Sequence, residues 1–183
     1  MKISVVTVVR NGVGTIEDAI LSVAAQSHPD IEHIVIDGAS TDGTLALLER
    51  HRDKIARLVS EPDRGIYDAM NKGIRLATGE VIGMLNADDV YAHTRVLEQV
   101  AAVMAQPEVD ACYADLVYVA RDDLGRVIRY WKSRDYQEGL CERGWLPAHP
   151  TFFVRRRVYE KYGAFDLDYR ILSDFELCLR LFA

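Results

Sequence analysis

The three cysteines of this 183-residue chain, Cys112, Cys141 and Cys178, are few, scattered and odd in number. Without a C-x-x-C pair they suggest neither a zinc site nor a disulfide framework. A reducing, cytoplasmic setting is the default. A basic surplus is also missing. The formal net charge is −6, which argues against a dedicated nucleic-acid binder. It leaves room for a small anionic ligand, which needs only local cations or helix N-termini. No charged-then-apolar leader opens the chain, and the run from Ile3 to Val9 is short and reads as a strand. No apolar stretch approaches the ~20 residues of a membrane span. No G-x-G-x-x-G follows the first strand, which sets aside a dinucleotide-binding Rossmann protein. Internal repeats and low-complexity segments are absent. What is present is 49% hydrophobic residues, enough for the core of one domain.

Strand and helix patterns alternate through the first half. Ile3 to Val9 is β-branched almost throughout, the mark of a strand buried on both faces. Thr15 and Asp18 have the spacing of a capping box, followed by an apolar face of Ile16, Ala19, Ile20, Val23 and Ala24. His33 to Ile36 forms a second strand ending at Asp37. Ser40, Thr41 and Asp42 offer N-caps for a helix carrying Leu45 and Leu48, and Ala56 to Val59 gives a third strand. Ile66, Ala69, Met70, Gly73, Ile74 and Ala77 recur at helical spacing, with Gly79 as the stop. Val81 to Leu85 is the fourth strand, and Val96, Leu97, Val100 and Met104 line the next helix.

This βαβα order predicts a mostly parallel, Rossmann-like α/β sheet with helices on both faces. Ligands of such sheets bind beyond the carboxyl ends of the strands. Polar clusters stand at those ends: Arg10 and Asn11, then Asp37, then Glu61 and Asp63, then Asn86, Asp88 and Asp89. The last cluster is the most telling. A buried strand runs straight into two adjacent carboxylates, which repel each other and resist desolvation. A divalent cation such as Mg²⁺ or Mn²⁺ relieves that cost; a solvated turn with Asp89 as helix cap is the plainer alternative.

The second half is less regular. Asp110 to Ala120 reads as a strand, Asp122 to Gly125 as a turn, and Tyr130 to Pro150 as a surface loop region able to cover a site. Thr151 to Val154 is a further strand, followed by a short helix ending at Gly163. A last helical pattern starts at Asp174 and stops without a cap, as though the chain were cut short of a natural end.

Four blocks resemble the family 2 glycosyltransferases of GT-A fold: 7–12 (TVVRNG), 36–44 (IDGASTDGT), 60–73 (SEPDRGIYDAMNKG) and 85–89 (LNADD). The third block is most similar to the branch that builds bacterial exopolysaccharide and colanic-acid-type repeat units. Residues 165–166 and 173–180 resemble the family's later acidic motif. The resemblance spans nearly the whole chain as a single GT-A domain. It implies a nucleotide-sugar-binding half over 1–105 and an acceptor and catalytic half over 106–183.

It also implies inverting transfer of a sugar from a UDP- or GDP-sugar to a hydroxyl of a saccharide or lipid-linked acceptor. By position, Thr7, Asn11 and Asp37 would hold the nucleoside, Asp37 by accepting a base N–H. Asp63 would flank the donor, Asn86 would sit near the ribose, Asp88 would bind the divalent metal on the diphosphate, and Asp174 would be the base. The chemistry suits these types. A metal stabilises the charge growing on the leaving diphosphate, and a positioned carboxylate takes the acceptor's proton.

Three positions depart from the pattern. Arg10 replaces an aromatic and can stack on a base, reach a phosphate or face solvent. Asn86 replaces the first carboxylate of the acidic triplet, which weakens metal affinity. His149 precedes Pro150 where relatives carry His-Gln, and is either a metal or diphosphate ligand or a structural histidine.

Two rival classes remain: a sugar-nucleotidyltransferase, whose triphosphate grip Arg10 to Thr15 partly imitates, and a nucleotide-sugar-binding subunit without turnover. Arg126, Arg129, Lys132, Arg134 and Arg155 to Arg157, near Trp131 and Trp145, offer either a peripheral membrane contact or a solvated basic face.

Overall fold

The computed structural model describes residues 1–182. In chain order the elements are β1 (Ile3–Val9), α1 (Ile16–Ala24), β2 (Ile31–Asp37), α2 (Thr44–Arg50), β3 (Arg57–Ser60), α3 (Ile66–Leu76), β4 (Val81–Met84) and α4 (Val96–Met104). The second half adds β5 (Ala111–Cys112), β6 (Leu116–Ala120), β7 (Asp123–Trp131), β8 (Phe153–Arg155), α5 (Arg156–Tyr162) and α6 (Ser173–Phe182). Six strands form one sheet in the order β3-β2-β1-β4-β8-β5, and β6 and β7 form a separate hairpin. The first four strands are parallel, with Val9 beside Asp37 and Asp37 beside Ser60.

Alternation along the strands divides the core in two. Val6, Val8, Ile34, Ile36 and Ile82 pack under α3, α5 and α6. Ile3, Val5, Val9, Val35 and Val81 pack under α1, α2 and α4. Gly73 lets α3 lie close on the sheet, because a Cβ there would overlap the Val6 side chain. α3 itself ends at Leu76 with Ala77 already extended. The expected stop, Gly79, instead lies against the edge of β1, where a Cβ would meet the Ser4 backbone nitrogen at 2.7 Å.

One reversal governs the site. β8 runs antiparallel to both β4 and β5, pairing Gly83 with Phe153 and Val81 with Arg155. The segment that enters β8 therefore arrives at the carboxyl ends of β1 to β4. β5 ends at that same edge, and the irregular second half is built outward from it.

Several local expectations are corrected. Thr15 and Asp18 form no side-chain capping box; the Thr15 hydroxyl donates to the Gly12 carbonyl at 3.4 Å. The α2 N-cap is Gly43, with φ 101°, and not one of the three polar residues before it. The strand expected over 110–120 is broken, because β5 pairs with β8 while β6 leaves the sheet for β7. β7 begins at Asp123, inside the expected turn, and takes in Tyr130 and Trp131.

Arg155, Arg156 and Arg157 are engaged within the fold. Arg155 is 8% exposed, and its guanidinium donates to the carbonyls of Met104, Gln106 and Val109, closing the end of α4. Arg156 bonds Gly79 and Glu160, and Arg157 bonds Asp110 and Pro107. Of the basic set, Arg126, Arg129, Lys132 and Arg134 stand on or beside the β6–β7 hairpin. Among the described residues no helix is long and apolar enough to cross a membrane.

Candidate active site

The loops after β1 and β2 are laced together. The backbone N–H groups of Asn11, Gly12 and Val13 donate in turn to Ser40 Oγ (2.8 Å), Thr44 Oγ1 (3.0 Å) and Asp42 Oδ2 (3.1 Å). Asn11 Oδ1 accepts the Thr41 N–H at 2.9 Å, and Asn11 adopts φ 55°, a left-handed geometry that Asn tolerates. The polar run Ser40 to Thr44 thus satisfies the first loop's amides.

Asp37 and Thr7 lie behind this edge. Asp37 is fully buried, and its carboxylate accepts the Ser40 N–H at 3.2 Å and the Ser60 hydroxyl at 2.6 Å. Thr7 is fully buried on the α1 face, with its hydroxyl 3.0 Å from His33 Nε2. Burial pushes His33 down to about 4, so the imidazole is neutral. Neither side chain is brought to the surface of the edge, because both are already paired in the core.

Asp63 is at the surface of that edge, after β3. Its Oδ1 accepts the Gly65 N–H at 2.8 Å. It helps to line a hollow of about 200 Å³ together with Val8, Val9, Arg10, Gly65, Ile66 and Ala69. After β4, Asn86 Nδ2 donates to Asp89 Oδ2 at 2.9 Å, while Asn86 Oδ1 is buried without a partner. Burial pushes the Asp89 carboxyl up, and neighbouring Asp88 adds to the shift against the Asn86 hydrogen bond. Asp88 is exposed.

These donors are hard oxygens, the set that Mg²⁺ or Mn²⁺ takes. Mg²⁺ is commonly held by one or two carboxylates plus substrate phosphates and not by an all-protein cage. Asp88 with Asn86 Oδ1 fits such a shared site. Among the described residues no three His, Cys, Asp or Glu side chains converge into a complete cage.

Asp174 reaches the same edge from the far end of the sequence. Tyr67, on the first turn of α3, donates its hydroxyl to Asp174 Oδ1 at 3.0 Å. Burial, then the Asp174 charge, pushes the Tyr67 phenol up, so it stays a donor. Tyr67 stacks on Phe165 at 5.3 Å between centroids. Asn71, one turn on, exchanges two hydrogen bonds with the Phe165 backbone at 2.8 and 2.9 Å. Just before Asp174, Leu172 holds φ 67°, a left-handed backbone that is costly for a non-glycine residue and often found at functional sites.

His149 packs against Phe165, with Nε2 buried and unpartnered; burial pushes its pKa down, against the pull of the Asp174 carboxylate. Tyr67 and Asn71 were not singled out from sequence. The available signal was a polar pair at i and i+4 along an otherwise apolar helix face.

The family model of glycosyl transferase family 2 matches residues 4–163. The chain belongs to this family. A PGL/p-HBAD biosynthesis glycosyltransferase of Mycobacterium bovis is 32% identical over 166 residues, covering 88% of this chain and 62% of the relative. An uncharacterized glycosyltransferase of Mycobacterium tuberculosis is 34% identical over 182 residues, 97% of this chain and 68% of the relative. This family-2 chain thus spans about two thirds of the length of these curated relatives.

Among solved structures, S. aureus TarS 1–349 in complex with UDP-GlcNAc superposes with a TM-score of 0.78 at 20% identity, covering 100% of this chain and 53% of that one. The mannosyltransferase PcManGT from Pyrobaculum calidifontis, in complex with GDP-Man and Mn²⁺, gives 0.75 at 24% identity, covering 98% and 51%. These likenesses establish the GT-A fold.

Proposed function

We propose that this family-2 chain is the sugar-transferring domain of a nucleotide-sugar-dependent, inverting glycosyltransferase. Residues 1–105 hold a UDP- or GDP-sugar, and residues 106–183 build the acceptor and catalytic side. The observation that carries the proposal is convergence. Asn11, Asp63, Asn86 and Asp88, from three βα loops, share one sheet edge with Asp174, which Tyr67 anchors there from α6.

Asp174 is the general base for the acceptor hydroxyl. Asp88, with Asn86 beside it, holds a divalent metal that offsets the charge growing on the leaving diphosphate. Asp37 and Thr7 support the donor site from beneath, through Ser60, Ser40 and His33. The Mycobacterium bovis relative is named for PGL/p-HBAD biosynthesis, and the solved neighbours hold UDP-GlcNAc or GDP-Man. The acceptor in this proposal is a saccharide or lipid-linked hydroxyl in surface polysaccharide synthesis. A cytoplasmic position with peripheral membrane contact belongs to the same proposal, its basic contact resting on Arg126, Arg129, Lys132 and Arg134.

The nucleotidyltransferase alternative is disfavoured by the lacing of the first loop. That chemistry grips a triphosphate with free loop amides, and here the amides of 11, 12 and 13 are taken by side chains. Thermal-shift measurements with UDP- and GDP-sugars, with and without Mn²⁺, test the proposal. A selective, metal-dependent rise in melting temperature is expected. No response to any nucleotide sugar would count against it. Donor hydrolysis or transfer that survives in Asp174→Asn would remove the base assignment.

A further inference from the structure

Asp37 has no room for a ligand, because Ser40 and Ser60 occupy its carboxylate inside the protein. The open carboxylate at the same strand end belongs to Asp63. Its Oδ1 is fixed by the Gly65 N–H, in the side-chain turn that Asp readily makes. Its Oδ2 stands over Gly38, where a Cβ would overlap it and would come within 3.4 Å of Arg10 Cβ. Among the described residues no hydrogen-bond donor reaches Oδ2. The hollow beside it has an apolar floor of Val8, Val9 and Ala69. Ile66, 50% exposed, and Arg10 stand at its sides. At about 200 Å³ it is smaller than pockets that enclose a whole drug-sized ligand and suits one flat ring system.

We propose that Asp63, and not Asp37, reads the base of the donor, and that it selects keto bases. The inference rests on the nucleotide-sugar proposal above. Uracil at N3 and guanine at N1 each present a ring N–H, which Oδ2 accepts. Cytosine at N3 and adenine at N1 present a lone pair at the corresponding place, which faces the carboxylate without a proton between them. Selection therefore has an attractive and a repulsive part. Gly38 is the enabling residue: a Cβ there would stand 2.3 Å from Asp63 Oδ2 and force the carboxylate to turn away.

Calorimetric titration of the chain with UDP, GDP, CDP and ADP, with and without Mn²⁺, tests this. UDP or GDP should bind at least about tenfold tighter than CDP and ADP, the scale of one hydrogen bond to a charged group. Asp63→Asn offers an amide N–H₂ to the lone pair, so it should weaken the keto-base diphosphate about tenfold and erase most of its lead over CDP. Gly38→Ala should have the same effect while leaving the charge in place, and it decides the matter if Asp63→Asn folds poorly. Equal binding of UDP, GDP and CDP, or an unchanged preference in folded Asp63→Asn or Gly38→Ala, overturns the role of Asp63 but leaves the donor proposal standing. Failure of all four diphosphates to bind overturns both.

Discussion

The two ends of the parallel sheet treat polar groups in opposite ways. At the amino end, Glu32 is 4% exposed and fully engaged. It accepts from the Ser4 hydroxyl at 2.6 Å and from the Thr78 N–H and hydroxyl at 2.7 and 2.9 Å, with Lys2 and Arg57 at 3.3 and 3.4 Å. Burial alone would raise its pKa, yet these partners hold it down at about 2. A hollow of about 440 Å³ near this end, lined in part by His28, His33 and Ile55, holds none of the gathered site residues. At the carboxyl end, Asn86 Oδ1 and His149 Nε2 are buried without a protein partner, and Asp88 is exposed. A buried polar atom left unmatched costs roughly 1–3 kcal/mol. The amino end keeps one such atom, His33 Nδ1, beside a closed Glu32 network, whereas at the carboxyl end the open groups gather where the βα loops converge.

Substitutions at the two ends should therefore separate stability from turnover. The largest effect is expected from Asp174→Asn, which should lower transfer by about 10²–10⁴-fold. Its melting temperature and donor affinity should stay near the parent's; kinetics beside calorimetry checks this. Next is Glu32→Ala, expected to cost about 2–3 kcal/mol in urea unfolding, with the turnover of the folded fraction unchanged. A loss of turnover in that variant would break the contrast between the ends.

The acid-unfolding profile should carry the same signature. His33, depressed from 6.5 to about 4, costs stability as the pH falls through that window, because only the unfolded chain takes up the proton. Glu32, depressed from 4.5 to about 2, gives stability that is complete above 4.5 and lost as the pH falls towards 2. Glu32→Gln should flatten the lower part of the profile and leave the upper part in place.

Tyr67→Phe should reduce kcat by about tenfold, the scale of one hydrogen bond to a charged group, with donor KM nearly constant, since the phenol positions Asp174 and does not hold the donor. Asp88→Asn should have the smallest effect on the free protein, within about 0.5 kcal/mol as for exposed sites generally. It should nonetheless abolish the Mn²⁺-dependent part of the donor-induced thermal shift.

Most of the sheet was legible in the sequence. β1, β2 and β4 are apolar runs ended by polar clusters, and α3 and α4 keep a helical period, so local pattern and tertiary burial agree. The second half was harder to read. Val117 and Val119 look like a continuation from Ala111, yet the chain departs from the sheet at Tyr113 to Asp115, because β8 takes the place beside β4 and leaves β5 at the rim. The edge that carries the site was also legible, since four polar clusters ended four predicted strands. Which carboxylate is free was not. Asp37 and Asp63 are alike in sequence terms, and only the approach of Ser40 and Ser60 to one and of Gly38 to the other distinguishes them. Arg155 teaches the same lesson: within a triple-arginine run it reads as surface charge, but it binds three carbonyls at the end of α4.

The lacing of Asn11, Gly12 and Val13 to Ser40, Asp42 and Thr44 has a consequence for how such a chain can vary in length. Each bond joins a fixed position in one loop to a fixed position in the other. The segments 11–13 and 40–44 are therefore fixed in length relative to each other, and an insertion within either breaks at least one of these bonds. The β6–β7 connection carries none of these bonds, but the Arg121 side chain in it reaches Gly14 of the first loop, so its length bears on the same edge.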